Sequence, residues 1–323
     1  MIQPSYGHLR GLIAATFTPF HADGKIDDAS VAPMVDYLID QQIHGLYVLG
    51  STGEGISLSN PERQTVAEAF VTAASGRIPV IVQVGNESLV AAKELARHAQ
   101  QIGADAVSAV SPVYFKPDSI ETLVDSMAQI AAGAPDLPFY YYHIPTTTGL
   151  TFSPLDFLQR AIETIPNLRG IKFTSAAVQE YQSCIEYAGD DYEVLWGLDE
   201  MLLSGLAAGG NAAVGSTYNF APAVYHNILK AFDDRNLEEA RMWQSRSQQL
   251  VRTFIPFGPR AAQKAIMAMI GQDCGPSRLP IRSLTSEAYA QLRHELEEIG
   301  FFQWSGLPTL PPEESIAADS ASV

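Results

Sequence analysis

Short apolar runs alternate with longer amphipathic stretches along most of the chain. Residues 78–84 (Ile-Pro-Val-Ile-Val-Gln-Val) are almost continuously apolar, which is typical of a strand buried on both faces of a parallel sheet. By the same criteria we predict eight strands, at Gly11–Pro19, Gly45–Gly50, Pro79–Gly85, Ala106–Pro112, Pro138–Ile144, Gly170–Ser175, Glu193–Leu198 and Ala212–Tyr218.

Amphipathic stretches follow the predicted strands. After the first strand, Val31, Val35 and Leu38 recur at helical spacing, so that one face of a helix is apolar. Ser153-Pro154 supplies a capping residue followed by proline, which is a helix start signal. We predict helices at Asp28–Gln42, Asn60–Ser75, Asn86–Gln101, Asp118–Ala132, Pro154–Thr164, Ala176–Ala188 and Asp199–Ala208, and another that begins near Pro222.

This repetition of strand and helix predicts an α/β fold, a (β/α)8 or TIM barrel, with a doubly wound open sheet as the alternative. After residue 232 no strand is evident, and only helices are predicted. We therefore expect residues 1–232 to form the barrel, residues 233–307 a C-terminal helical extension, and residues 308–323 a loosely ordered tail. The helices of the extension are predicted at Leu237–Thr253, Pro259–Ile270 and Ser286–Ile299.

Composition narrows the class of protein. The net charge of −16 over 323 residues argues against a nucleic-acid partner and against an anionic membrane surface. No apolar run is long enough to span a membrane, and the N-terminus does not resemble a signal peptide, so a cytoplasmic location is expected. Cys184 and Cys274 do not suggest a disulfide framework, and the seven histidines lack metal-ligand spacing, so neither a metal nor another cofactor is expected.

Lys172 lies within the sixth predicted strand. Strand alternation places Lys172 and Thr174 on one face and the apolar Ile171 and Phe173 on the other. A lysine in an apolar strand is costly unless it is paired or functional. In a dry site its pKa falls, which frees the amine to attack a carbonyl carbon. The strand by itself leaves a Schiff-base lysine and a paired core lysine equally open.

Other polar residues lie near the ends of the predicted strands, where the active sites of α/β barrels are found. Tyr142 could shuttle protons beside a lysine, whereas Tyr140 and Tyr141 fit core packing better. The glycine-rich turn Gly50-Ser-Thr-Gly-Glu-Gly55 can hold a carboxylate, although a simple tight turn explains it equally well. Strands seven and eight end in Gly197-Leu-Asp-Glu200 and Gly215-Ser-Thr-Tyr-Asn219, whose polar groups suit a polyhydroxylated ligand.

Four of these motifs occur in an order that resembles the N-acetylneuraminate lyase / dihydrodipicolinate synthase family of class I aldolases. The motifs are Gly50-Ser-Thr-Gly-Glu54, Tyr142-His-Ile-Pro145, Gly170-Ile-Lys172 and Gly215-Ser-Thr-Tyr218, and the resemblance covers about Gly7 to Asp273. It implies a Schiff base between Lys172 and a 2-keto acid, without a cofactor. It also implies a homotetramer built as a dimer of dimers.

The resemblance implies roles for further residues. Tyr142 would relay protons, supported by Ser51 and by Tyr114, whose family equivalent reaches into a neighbouring subunit's site. Ser51 and Thr52 would hold the substrate carboxylate. The features close to the lyase branch, which would bind the sugar part of a substrate, are Thr174, Gly197, Asp199, Glu200 and Ser216.

Thr147 bears on the choice of branch. Synthases of the family carry an arginine two residues after the proline of the Tyr-x-x-Pro motif, and a neutral threonine cannot replace its bidentate contact with a carboxylate. Lyases commonly have leucine there. Thr147 thus departs from both branches, and it is the features close to the lyase branch by which the resemblance favours cleavage of N-acetylneuraminate (sialic acid) to pyruvate and N-acetylmannosamine. The alternatives are another 2-keto-3-deoxy sugar acid, 4-hydroxy-tetrahydrodipicolinate synthesis, or a non-catalytic barrel that binds a keto acid.

Overall fold

Eight parallel strands close into a barrel in chain order, with the last strand paired to the first. A computed structural model describes residues 7–307. The TIM barrel is therefore confirmed, and the open sheet is excluded. The strands are β1 (Gly11–Ala15), β2 (Gly45–Val48), β3 (Val80–Gln83), β4 (Ala106–Val110), β5 (Phe139–His143), β6 (Leu168–Phe173), β7 (Glu193–Trp196) and β8 (Ala212–Gly215).

Helices cover the outside of the barrel and continue past its last strand. They are α1 (Val31–Asp40), α2 (Asn60–Ala74), α3 (Leu89–Gln101), α4 (Ile120–Ala131), α5 (Pro145–Thr148), α6 (Pro154–Thr164), α7 (Val178–Ala188), α8 (Leu202–Ala207), α9 (Pro222–Asp233), α10 (Leu237–Phe254), α11 (Pro259–Met269), α12 (Ser286–Glu298) and α13 (Phe301–Ser305). The predicted tail, residues 308–323, lies outside the described residues.

Residues at the ends of the helices and strands explain some of the observed element boundaries. The Ser153 hydroxyl accepts from the backbone N–H of Asp156, so Ser153 caps α6 as the sequence predicts. Predicted strands extend too far at their C-terminal ends. The chain from 16 to 19, for example, belongs to the loop that follows β1. These loops line the mouth of the barrel and do not continue the strand ladder.

The core has two layers, set by strand alternation. One face of each strand packs inside the barrel, where Ile13, Tyr47 and Leu195 belong to a single apolar cluster. The other face packs against the helices, in a larger cluster that includes Leu12 and Ile171. Each strand is buried on both faces, which explains why the strand sequences are nearly continuous in apolar residues.

The N-terminal end of the barrel is closed by a buried ion pair. Arg169 Nη2 lies 2.8 Å from Glu193 Oε1, and both side chains are buried. The hydroxyl of Tyr140 donates to Glu193 Oε2 at 2.7 Å. Tyr140 is thus a core residue, as predicted, and its hydroxyl is engaged far from the opposite rim, where Lys172 lies. Tyr141 points outward and packs on Phe157.

The C-terminal helices pack against the barrel and over its C-terminal rim. Lys264 of α11 is buried, and its Nζ donates to the carbonyl oxygen of Thr18 at 2.9 Å, just after β1. The extension is therefore part of the wall around the mouth of the barrel. Within residues 7–307, no helix is both long and apolar enough to cross a membrane.

Candidate active site

Lys172 lies inside the barrel, near the C-terminal end of β6, and its side chain is only 4% exposed. In the parallel register its Cα is paired with that of Tyr142 on β5. The Nζ atom lies 3.8 Å from the centroid of the Tyr47 ring and 4.0 Å from that of Tyr142. The amine is thus held between two aromatic faces.

The surroundings of Lys172 favour its neutral form. Burial lowers the pKa of Lys172 below its usual value, although the nearby Tyr142 and Asp199 oppose that shift. The two aromatic rings also favour the ammonium ion, but desolvation is the larger effect. The direction of the shift matters because only the neutral amine can attack a carbonyl carbon.

Tyr142 is the nearest titratable partner of that amine. Burial opposes ionisation of its phenol, but the charge of Lys172 and hydrogen bonds with Ser51 and Lys172 outweigh it, so the pKa of Tyr142 falls below its usual value. Ser51 follows β2 and Tyr142 lies on β5, so the barrel brings together two residues that are not on neighbouring strands.

Tyr47 is a site residue that the sequence analysis missed. It is fully buried, its hydroxyl donates to Ser108 Oγ at 3.0 Å, and its ring meets that of Tyr142 edge-on. In the sequence it is one aromatic residue in the apolar run Gly45-Leu-Tyr-Val48, and alternation alone does not tell which face of β2 points inward. Barrel closure places it under Lys172.

The glycine-rich turn after β2 adopts an unusual backbone path. Leu49 and Glu54 both have positive φ, at 63° and 54°, which is costly for residues with a side chain and is common at functional sites. Gly55 is required there, because a Cβ at this position would lie 1.9 Å from the carbonyl oxygen of Leu49. Between these residues, Thr52 is buried and Ser51 is partly buried. The turn is thus tightly constrained beside the site.

Thr174 and Gly197 meet at the ends of β6 and β7. The Thr174 hydroxyl oxygen is buried and has no hydrogen-bond partner within residues 7–307. A Cβ on Gly197 would lie 2.0 Å from that oxygen, so glycine leaves the space that Thr174 occupies. A buried polar atom without a partner is rare in proteins and is readily explained by a ligand.

Asp199 follows β7 and is tied to the loop after β8. Its Oδ2 accepts from the Thr217 backbone N–H at 2.8 Å and from the Thr217 hydroxyl at 2.7 Å. Burial, and then the charge of Glu200, raise the pKa of Asp199 to about 6, although the bonds from Thr217 counteract the rise. The Ser216 hydroxyl lies 3.5 Å from the same oxygen. Thr217 is a second residue that the sequence analysis did not single out.

Side chains of the C-terminal extension hold the loop that carries Asp199 and Glu200. Gln248 Nε2 of α10 donates to the backbone oxygen of Glu200 at 3.3 Å, and Gln244 Oε1 accepts from the backbone N–H of Leu203 at 2.8 Å. The Glu200 side chain is partly buried. The loop that holds Asp199 and Glu200 is therefore fixed by side chains some 45 residues further along the chain.

Tyr114 is the predicted site residue that the structure leaves on the surface. Its side chain is 80% exposed, and its ring meets the similarly exposed ring of Phe115 edge-on. Glu87 anchors the loop by accepting from the backbone N–H groups of Val113 and Tyr114. Tyr114 thus lies outside its own chain's lysine pocket. All the other predicted site residues lie at the C-terminal rim, at the ends of β2, β5, β6, β7 and β8.

The chain is similar to known proteins over most of its length. Residues 8–299 match the Dihydrodipicolinate synthetase family. N-acetylneuraminate lyase A of Xenopus laevis is 43% identical over 280 residues, 85% of this chain and 91% of that protein. Human N-acetylneuraminate lyase is 36% identical over 304 residues, 93% of this chain and 95% of that protein.

Solved structures of related proteins are also similar to this chain. The structure of Proteus mirabilis N-acetylneuraminate lyase has a TM-score of 0.88 at 38% identity, covering 91% of this chain and 99% of that one. A catalytic lysine mutant of Ruminococcus gnavus sialic acid aldolase has a TM-score of 0.86 at 28% identity, covering 90% and 96%. With the family match spanning most of the chain, this protein belongs to the dihydrodipicolinate synthetase family.

Proposed function

We propose that this protein is a Schiff-base aldolase that cleaves N-acetylneuraminate to pyruvate and N-acetylmannosamine. The observation that carries the proposal is the position of Lys172. It is a buried amine with a lowered pKa, in register with Tyr142, at the catalytic rim of a barrel. The related lyases from frog, human and Proteus, and the aldolase described by its catalytic lysine, support the choice of reaction and substrate.

The reaction begins at the C2 ketone of the open-chain sugar acid. The neutral amine of Lys172 adds to the carbonyl carbon, and loss of water gives an iminium ion. The iminium is an electron sink, because it can accept the electron pair of the C3–C4 bond. The low pKa of Lys172 supports this step, since a protonated amine has no lone pair to donate.

Bond cleavage requires removal of the proton from the C4 hydroxyl. Tyr142 would accept this proton, and the lowering of its pKa beside Lys172 and Ser51 supports that role. As the C4–O bond becomes a carbonyl, the C3–C4 pair moves to the iminium and N-acetylmannosamine leaves. The remaining enamine takes a proton at C3, and water releases pyruvate and free Lys172.

Separate parts of the rim would bind the two ends of the substrate. Ser51 and Thr52, on the constrained turn after β2, would hold the carboxylate with hydroxyl and backbone N–H donors. The groups at the ends of β6, β7 and β8 would bind the sugar hydroxyls. These are Thr174, with its unpartnered oxygen, and Gly197, Asp199, Glu200 and Ser216.

Assembly and location complete the proposal. The exposed Tyr114 would enter the site of a neighbouring copy, in a homotetramer that acts in the cytoplasm without a metal or other cofactor. In the described part of the chain, residues 7–307, no group of three or more His, Cys, Asp or Glu side chains could hold a metal ion. Residues 1–232 would supply the reacting groups and residues 233–307 their support.

Thr147 bears on the choice between the possible substrates. It is exposed on the short helix α5, where it offers no charge to a substrate carboxylate. This argues against 4-hydroxy-tetrahydrodipicolinate synthesis and leaves another 2-keto-3-deoxy sugar acid as the alternative. Turnover of aspartate semialdehyde without turnover of sialic acid would instead assign the synthase reaction.

Two experiments test the proposal. Borohydride reduction in the presence of pyruvate should leave a pyruvate adduct on Lys172, found by peptide mass spectrometry and absent from Lys172→Met. The exposed Lys116→Met is the matched control and should label normally. The second experiment compares sialic acid with other 2-keto-3-deoxy acids. An adduct without turnover of any aldol substrate would indicate a keto-acid-binding protein in place of an enzyme.

A further inference from the structure

Helix α11 lies across the rim of the barrel at the ends of two neighbouring strands. Lys264 Nζ donates to the Thr18 carbonyl oxygen after β1, and Gln263 Nε2 donates to Ser216 Oγ after β8 at 3.0 Å. Both donors are buried. These contacts place the first turn of α11, which contains Arg260, beside the mouth of the barrel.

Arg260 lies three residues before Gln263, on the same side of the helix. Its Nη1 donates to Gln263 Oε1 at 3.2 Å. Because Gln263 in turn donates to Ser216, and Ser216 lies 3.5 Å from the Asp199 carboxylate, a continuous polar chain runs from Arg260 to Asp199. The end of this chain is the part of the rim proposed to bind sugar hydroxyls.

The guanidinium of Arg260 has few polar partners in the described part of the chain. It is partly buried, and within residues 7–307 it has no carboxylate within 4.0 Å and no hydrogen bond other than that to Gln263. Other buried cations are engaged more fully. Arg169 bonds to Glu193, and Lys264 donates to three carbonyl oxygens. An arginine has several N–H donors, so most of those on Arg260 are available to a ligand.

The charge of Arg260 also acts on the reacting groups. It interacts electrostatically with Tyr142, Asp199 and Glu54, in that order of strength, and it is among the influences that lower the pKa of Lys172. The hydrogen bond to Gln263, which itself bonds to Ser216, puts the guanidinium on the side of α11 that adjoins the rim.

We propose that Arg260 is a specificity-determining residue that donates hydrogen bonds to oxygens of the sugar acid beyond its C3–C4 bond. The inference rests on the proposed function. Asp199 and Glu200, when ionised, can only accept hydrogen bonds, whereas sugar hydroxyls and an acetamido carbonyl also present acceptor oxygens. Arg260 supplies the donors that this acidic part of the rim lacks. The fragment it contacts is the one that leaves as the aldehyde, so Arg260 does not bind the pyruvate portion.

The test is the effect of Arg260→Gln on each substrate separately. Loss of a charged hydrogen bond should lower kcat/KM for sialic acid by about 10- to 100-fold and raise KM for N-acetylmannosamine in the condensation direction by a similar factor. KM for pyruvate should be unchanged, and borohydride should still trap pyruvate on Lys172. Arg260→Lys should recover part of the lost kcat/KM, because lysine keeps the positive charge but lacks the planar guanidinium with its several N–H donors. The exposed Arg252→Gln is the control and should match the wild type.

Two results would overturn the proposal. One is an unchanged KM for both sugar substrates. The other is a loss confined to pyruvate affinity or to the pH profile, which would show that Arg260 only adjusts the charge of Lys172 and Tyr142. If Arg260→Gln fails to fold, Arg260→Lys decides between these outcomes by the same assays.

Failure of the proposed function is a separate result, because it is read from the wild-type protein alone. If the wild type traps pyruvate but cleaves a different sugar acid, the Arg260 variants are compared with that acid and its aldehyde. A wild type that turns over no sugar acid overturns both proposals.

Discussion

Thr217 gives Asp199 two hydrogen bonds at a single carboxylate oxygen, one from the backbone N–H at 2.8 Å and one from the side-chain hydroxyl at 2.7 Å. The second oxygen, Oδ1, lies over Gly215, where a Cβ would approach it to 2.2 Å. The carboxylate of Asp199 therefore joins the ends of β7 and β8. Its orientation toward the mouth of the barrel depends on a residue that does not itself have to touch the substrate.

Thr217→Val should weaken this connection without changing the side-chain shape. Loss of the hydroxyl removes a bond that lowers the pKa of Asp199, so that pKa should rise further above about 6. The free energy of unfolding should fall by about 1–3 kcal/mol, measured by urea denaturation, and KM for the sugar acid should rise. The exposed Thr65→Val is the control. Equal stability of the two variants would contradict this view of Thr217.

Asp199→Asn should change how stability depends on pH. The folded-state pKa of about 6 lies above the ordinary aspartate value of 3.8, so the fold favours the neutral acid. This contribution to stability is fully present below pH 3.8 and is lost as the pH rises through about 6. At neutral pH the ionised wild-type side chain should therefore cost about 3 kcal/mol relative to a neutral one.

Asparagine is neutral throughout this range and can still accept from Thr217. The stability of Asp199→Asn relative to wild type should therefore increase between about pH 4 and pH 7, followed by urea denaturation at each pH. Other carboxylates titrate equally in both proteins and cancel in the difference. A difference that does not vary with pH would show that Asp199 ionises normally in the fold.

The rate of pyruvate trapping should report the lowered pKa of Lys172. Trapping needs the neutral amine, so it should increase with pH and level off below the ordinary lysine value of 10.5. Because Lys172 and Tyr142 interact strongly, the inflection belongs to the pair. Initial rates of borohydride-trapped adduct across the pH range give the measurement. A rise that continues to pH 10.5 would mean that burial does not shift this amine.

Tyr142→Phe separates imine formation from bond cleavage. The ring that packs on Lys172 remains, but the proton acceptor is lost. We expect kcat for sialic acid cleavage to fall by about 10²- to 10⁴-fold while pyruvate is still trapped on Lys172. Tyr141→Phe is the matched control, since Tyr141 is the next residue toward the N-terminus of β5 but points outward onto Phe157. If both variants lose activity alike, the effect comes from strand packing.

Gly197→Ala should damage the site through Thr174. The new Cβ would lie 2.0 Å from Thr174 Oγ1 and 2.8 Å from the Phe173 carbonyl oxygen, so one of the two strand ends must move. Overpacking of this kind costs about 1–3 kcal/mol, visible as a lower free energy of unfolding together with lower kcat/KM. Adding Thr174→Ala removes only the nearer clash and should restore stability in part. Full activity in Gly197→Ala would show that the rim tolerates this movement.

Sequence patterns predicted the fold well because burial on both faces of a parallel strand is visible locally. The eight strands and the cap at Ser153 follow from short-range periodicity and turn chemistry. The strands were mostly predicted too long at their C-terminal ends, as after Ala15, where buried residues continue into the loop, and β6 begins at Leu168, two residues before its predicted start. Burial continues there although the ladder stops, so hydrophobicity alone cannot locate the end of a strand.

The sequence by itself predicted that Lys172 and Thr174 point to the same side, because side chains alternate along a strand, although β6 ends at Phe173, just before Thr174. Tertiary structure decided what surrounds them. Tyr47 lies against Lys172 because the barrel closes, Thr217 orients Asp199 because β7 and β8 are neighbours, and Arg260 reaches the rim because α11 crosses it. These contacts join residues far apart in the chain. Periodicity gives the direction in which a side chain points, whereas only the closed and covered barrel determines what it meets.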